Sequence, residues 1–300
     1  MNKRILISGA SGFVGSELKK YLVNKGCEVW SLSRHEERSD QEIYWDINKG
    51  HIDPIPDCHW DAVVHLAGEP ILGYWTKKKK ERIIKSRVEG TQLLVKAMEG
   101  KDLDCFISAS GISYYPNTNE IYDENGVKGE SFLSDVVEAW EDASKAIENA
   151  GVRRALMRIS MVLDPKGGPL EAMLKPFKMG LGAVMGNGEQ YISWITLQDL
   201  LRVIFFTINE TKINGVVNCC GKEAVTNKLF SKTLATVLNK PCILPAPAFA
   251  LKLIMGELAH DTMLYSSRIH PGKLIDAGFD FDEKDLSLVL KDLIFPCRPW

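Results

Sequence analysis

The sequence predicts an α/β protein: a Rossmann-type, doubly wound parallel sheet with a smaller C-terminal substrate cap. Three observations lead there. The chain opens on an apolar strand, Ile5 to Ile7, that runs straight into glycines at 9, 12 and 15. A helical pattern and a second apolar strand follow at once, the order that a βαβ unit requires. Strand-like and helix-like stretches then alternate through the first half, and a parallel sheet buries such alternation best.

The first strand is apolar on both faces, as a central parallel strand must be. After the glycine turn, Val14, Leu18, Tyr21, Leu22 and Lys25 recur at helical spacing and Gly26 stops the helix. Further strands are expected at Val29 to Leu32, Ile43 to Trp45, Ala62 to Ala67, Phe106 to Ala109 and Arg154 to Ile159. Between them lie a long amphipathic helix carrying Ile84, Val88, Thr91, Val95 and Met98, and a helix from about Leu133 to Asn149. Past Asp164 the texture changes to glycine turns and mixed aromatic and polar stretches. A strand near Val216 to Cys219, a helix after Thr226, an apolar segment at Pro245 to Leu258 and a last helix with Leu286, Val289, Leu290 and Leu293 complete the pattern. Residues 1–163 are therefore expected to form the Rossmann domain, joined by a returning segment near 191–222, with 164–190 and 223–300 as the cap over the carboxyl ends of the strands.

Composition narrows the function. A net charge of -2 gives no bulk attraction to nucleic acid, and the lysine run 77–80 reads as a solvated helix start. The seven cysteines, Cys27, Cys58, Cys105, Cys219, Cys220, Cys242 and Cys297, show no metal-type spacing, so reduced structural thiols and no metal site are expected. With a strand starting almost at Met1 and no apolar run of about 18 residues, the expectation is a cytoplasmic protein without a membrane partner.

The turn itself, Gly9, Ser11, Gly12, Phe13 and Gly15, lets backbone N–H groups approach a pyrophosphate at a helix N-terminus. At the end of the second strand an acid would bind a ribose, whereas a base would meet a 2′-phosphate. The chain has Ser33 and Arg34 there, which favours NADP over NAD; His35 and Arg38 could assist. Asp46 closes the third strand and either receives the adenine amino group or is a plain strand-end aspartate. In HLAG the small residues ending at Gly68 leave room for the coenzyme backbone, while His65 reads as a packed core histidine.

Together, GASGFVG, the Ser-Arg pair, HLAG and SASGISYYP from Ser108 to Pro116 resemble the extended short-chain dehydrogenase/reductase superfamily. WEDASKAIENAG near Trp140, the stretch Arg158 to Leu200, VTNKLF and LPAPAFAL sharpen this: the whole chain resembles the YfcH-like family of sugar-nucleotide epimerases, also labelled NAD-dependent epimerase/dehydratase. The resemblance implies a serine at the end of the fifth strand, matched by Ser110, and a Tyr-x-x-x-Lys pair on the next helix, in which lysine lowers the tyrosine pKa for proton exchange. The window Phe132 to Ala150 has no tyrosine. If Lys145 marks the lysine, Glu141 stands at the tyrosine position; counting back from Arg158 places Val136 or a neighbour there. A carboxyl at Glu141 would need a raised pKa to act as an acid, and Tyr114 is the alternative phenol.

The resemblance also places Arg87 where extended members carry an asparagine, to pair with a phosphate or orient the loop on the coenzyme side, and gives Leu66, Ala67 and Val162 backbone and apolar contacts to the coenzyme. On the substrate side, Lys175, Gln190, Tyr191 and Trp194 suit an anionic or sugar-like ligand, and equally an ordinary cap packed on its sheet. Asp199 is expected to open a helix that docks the cap. Two functions compete: an NADP-dependent epimerase or reductase of a nucleotide sugar or other small hydroxyl or carbonyl compound, and a catalytically silent NADP(H) sensor.

Overall fold

In a computed structural model, which describes residues 2–35, 38–282 and 285–296, the glycine turn sits at the centre of a sheet. Seven parallel strands make up the body: β1 Arg4–Ser8, β2 Glu28–Ser33, β3 Glu42–Asp46, β4 Ala62–His65, β5 Cys105–Gly111, β6 Arg153–Ile159 and, later in the chain, Gly215–Cys219 at one edge. From that edge the order is Gly215–Cys219, β6, β5, β4, β1, β2, β3, and His51–Ile52 adds an antiparallel end piece. The order reverses between β1 and β4, the switch point at which open α/β sheets bind ligands.

Alternation along the strands sorts the core into two layers. Ile5, Ile7, Val64, Ile107 and Met157 face helices α1 (Phe13–Asn24) and α5 (Leu197–Asn209), whereas Leu6, Val63 and Phe106 face α2 (Lys77–Ala97) through Leu94, Val95 and Met98. A slip of one residue in β1 would exchange these sets. Leu163, Leu170, Leu174, Phe177, Trp194, Phe230, Leu234 and Leu290 form a further core among α4 (Gly168–Lys178), α6 (Asn227–Val237) and the last helix, Leu286–Ile294. The returning chain divides between the two cores: in the strand Trp194–Thr196, Trp194 packs in the further core and Ile195 in the main one.

Three elements differ from the sequence expectation. The helix expected over 133–149 is α3, Phe132–Asp142, followed by a 3-10 turn at Lys145–Ala150. The acceptor that would continue it, the Glu141 carbonyl, instead receives Arg154 Nη1 at 2.8 Å and Ser144 Oγ at 3.0 Å, and Arg154 also reaches Ser144 Oγ. The helix opened at Thr196 and Asp199, expected to dock the cap, packs on α1 in the main core. Leu274, Phe279 and Phe281, expected in the cap, also pack there. The apolar segment near 250 forms helix α7, Ala248–Met255, with Phe249, Leu253 and Ile254 exposed.

Lys77 and Lys78 are solvated as expected, but Lys79 and Lys80 are half-buried and paired with Glu69 and Glu257. Among the described residues no helix is long and apolar enough to cross a membrane. Cys27, Cys58, Cys105, Cys219, Cys220 and Cys242 are free thiols; Cys297 lies outside the described residues.

Candidate functional site

Backbone approaching backbone builds the first half of the site. Gly9 holds a φ of +73°, and a Cβ there would stand 2.8 Å from the Ala67 nitrogen. A Cβ on Gly15 would fall 2.1 Å from the Gly9 carbonyl oxygen. Only glycine fits either place, so the turn lies flush between β1 and the end of β4. Gly12 opens α1 with no side-chain cap and no acid in the first turn, which leaves the first amides available to an anion. Ser11 and Gly12 are exposed there. Phe13 turns aside: its ring fills the space above Gly167 and Gly168, where a Cβ on Gly167 would meet it at 2.1 Å.

The end of β4 is pinned from below. Ser8 Oγ lies 2.6 Å from His65 Nδ1 and accepts the Leu66 amide at 3.1 Å and the Ala67 amide at 3.3 Å. Burial, aided by the nearby Arg87 charge, lowers the His65 pKa to about 4, so this histidine is neutral and structural at neutral pH. Arg87 Nη1 donates to the carbonyls of Glu69 and Ile83 at 3.0 and 3.3 Å. Its guanidinium stacks 5.0 Å over Trp140 and lies 3.3 Å from where a Gly68 Cβ would be. Burial lowers its pKa to about 10, with Glu69 opposing, and it remains charged.

Side chains from three elements make the second half. Ser110, at the end of β5, donates to Glu141 Oε1 of α3 at 2.6 Å. Arg158 of β6 closes on both Glu141 oxygens, Nε to Oε1 and Nη2 to Oε2, each at 2.8 Å. All three are buried. Burial works against charge on Arg158, but its hydrogen bonds and attraction to Glu141 outweigh it and raise its pKa. The guanidinium also stacks 3.4 Å over the Tyr114 ring. Tyr115 is fully buried; its hydroxyl donates to Asn218 at 2.7 Å, and burial pushes its pKa up to about 12. Lys145, four residues after Glu141, points away: it pairs with Asp142 and its side chain is 62% exposed. Glu141 is thus paired with Arg158 and not with Lys145.

At the adenosine end, Ser33 closes β2 and accepts the His35 amide at 3.2 Å, and Arg34 is exposed with no protein partner among the described residues. Arg38 pairs with Asp53 at 2.7 Å and stacks on Tyr44. Asp46 caps a 3-10 turn through the Asn48 amide at 2.9 Å.

The residues expected on the substrate side do not share one environment. Lys175 is exposed in the last turn of α4 and Trp194 is buried, as is Val162, which was expected against the coenzyme. Gln190 is spent on the carbonyls of Met185 and Met263, 3.1 Å each. Tyr191 lies 4.7 Å under the Arg268 guanidinium. Among the described residues, one set of side chains has metal-ligating proximity, His59, Asp61 and Asp104; it is outside this site and already engaged with Asp102 and Lys3.

Against known proteins, residues 5–220 match the model described as the NAD dependent epimerase/dehydratase family. The chain belongs to that family. Residues 246–293 match a domain of unknown function, DUF1731. Epimerase family proteins of Staphylococcus haemolyticus and Mycobacterium bovis are 35% and 34% identical, covering 97% and 96% of this chain and 99% and 97% of theirs. The human epimerase family protein SDR39U1 (isoform 2), solved with NADPH, superposes with a TM-score of 0.89 at 29% identity, over 97% of this chain and 98% of that one. UDP-glucuronic acid 4-epimerase from Bacillus cereus, in complex with NAD, shares the fold at a TM-score of 0.73 and 20% identity, over 96% and 94% of the chains.

Within the epimerase/dehydratase family frame, the residue that sequence reasoning missed is Arg158. The signal was present. Of the three arginines in β6, Arg154 and Arg158 share a face of an otherwise apolar strand, and buried guanidinium groups demand acceptors.

Proposed function

We propose that this chain binds NADP(H) across the glycine turn and acts on a small hydroxyl or carbonyl compound, a nucleotide sugar among them, as an oxidoreductase or epimerase in which Ser110 and Glu141 handle the proton. The 2.6 Å hydrogen bond from Ser110 to Glu141 carries this reading. The residues fit the coenzyme: Gly9 and Gly15 admit no Cβ, so the turn lies flat with Gly12 exposed at the helix start, Leu66, Ala67 and Gly68 form its floor, and Arg87 borders it. Exposed Arg34 and neighbouring Ser33, neither of them acidic, at the end of β2 support a 2′-phosphate and hence NADP, the coenzyme type solved with the human relative in reduced form. Bound nicotinamide would supply hydride donation or acceptance.

Because Ser110 gives its proton to Glu141, its free lone pairs can accept a substrate hydroxyl. As that hydroxyl loses its proton, Ser110 takes it and passes its own to Glu141; the reverse path returns it. Arg158 holds the carboxylate in line, and Tyr114 walls the cluster. A silent NADP(H)-binding sensor is the second reading, favoured by the engagement of both Glu141 oxygens with Arg158. The test is deuterium exchange between C4-labelled NADPH and a panel of nucleotide sugars and small carbonyl compounds. Exchange that drops about 100-fold or more in Ser110→Ala supports the enzyme; tight coenzyme binding with no exchange overturns it in favour of the sensor.

A further inference from the structure

The two arginines at the site have their charges met differently. Arg158 is neutralised by Glu141. Arg87 touches no carboxylate: its Nη1 donates to two carbonyl oxygens, and its other nitrogens have no hydrogen-bond partner among the described residues. Glu69, whose charge acts on Arg87, is already held by Lys79 at 2.8 Å and Arg82 at 3.3 Å. One carboxylate therefore serves three cations along this wall. Arg87 also stands between the halves of the site, against Gly68 on the cradle side and over Trp140, the residue before Glu141, on the other.

We infer that Arg87 makes this site select the reduced coenzyme over the oxidised one. The inference rests on the coenzyme reading above. An oxidised nicotinamide ring carries a positive charge and a reduced ring none, while the phosphates are the same in both. Attraction of the phosphates to the wall cancels from the comparison, and what remains is repulsion between the cationic ring and an uncompensated guanidinium in a cleft of low effective dielectric. The chain would thus hold the form that can give hydride away.

Calorimetric titration of NADPH and NADP+ at one ionic strength tests this. NADPH should bind at least about 10-fold more tightly to the wild type; the ratio should shrink to about 2-fold in Arg87→Gln and persist in Arg87→Lys. Glu69→Gln removes the remaining negative charge and should widen the ratio, which keeps the test decisive if Arg87→Gln fails to fold. Equal Kd values in the wild type, an unchanged ratio in folded Arg87→Gln, or a ratio that does not widen in Glu69→Gln would overturn the inference alone. A wild type that binds neither form would bring down the coenzyme reading and this inference with it.

Discussion

The cradle and the proton cluster lie at the same end of one sheet yet are made of different materials. The cradle is backbone against backbone, with glycine required where a Cβ would stand 2.1 to 2.8 Å from a main-chain atom. The cluster is side chain against side chain, Ser110, Glu141 and Arg158 brought from β5, α3 and β6. A site of the first kind tolerates no added atom. One of the second kind tolerates exchange of partners as long as charge and hydrogen bonds remain satisfied.

The sharpest break should come in the cradle. Gly15→Val forces a side chain into the Gly9 carbonyl, and both consequences should be large: a stability loss of about 3 kcal/mol by overpacking and a coenzyme affinity lowered about 100-fold or more. Denaturant unfolding and a coenzyme titration read the two. A folded variant that still binds normally would refute the flush packing of turn and strand.

In the cluster, Glu141→Ala leaves the Arg158 charge buried and unpaired and should cost about 3–5 kcal/mol. Replacing both at once, Glu141→Leu with Arg158→Met, should recover most of that stability without recovering proton transfer. If the double variant is no more stable than the single, the two residues are not coupled as their geometry requires. The same unfolding measurement decides.

The floor of the cradle adds a pH dependence. His65 titrates near 4 when folded, below its ordinary value of 6.5, so the unfolded chain binds more protons between those values. The stability due to neutral His65 is complete above about 6.5 and is lost as pH falls towards 4, about 3 kcal/mol in all. Unfolding free energies between pH 7 and 4 should show this slope in the wild type and a shallower one in His65→Gln. An equal slope in both would show that the acid sensitivity arises elsewhere.

The same contrast explains what could be read from sequence. Gly9 and Gly15 were legible because backbone geometry leaves one residue type possible, and the strands were legible because a buried parallel sheet needs runs such as Ile5 to Ile7. Side-chain convergence has no such local mark. The register of Glu141 stayed open because capture of its carbonyl by Arg154 ends α3 where sequence periodicity runs on, and Arg158 lies 17 positions away on another element. Gln190 looked like a ligand group because nothing in its neighbourhood reveals that the carbonyls of Met185 and Met263 already use its amide.

Arg34 follows the end of β2, is exposed and has no hydrogen bond or ion pair among the described residues, so its replacement should leave stability within about 0.5 kcal/mol. It therefore isolates the central claim, that this end of the sheet grips a coenzyme bearing an additional phosphate. Calorimetric titration with NADPH and NADH, for the wild type and Arg34→Ala, addresses it most directly. The account predicts that NADPH binds about 10-fold or more tightly than NADH to the wild type and that most of this margin is lost in Arg34→Ala; equal binding of the two coenzymes by the wild type would contradict it.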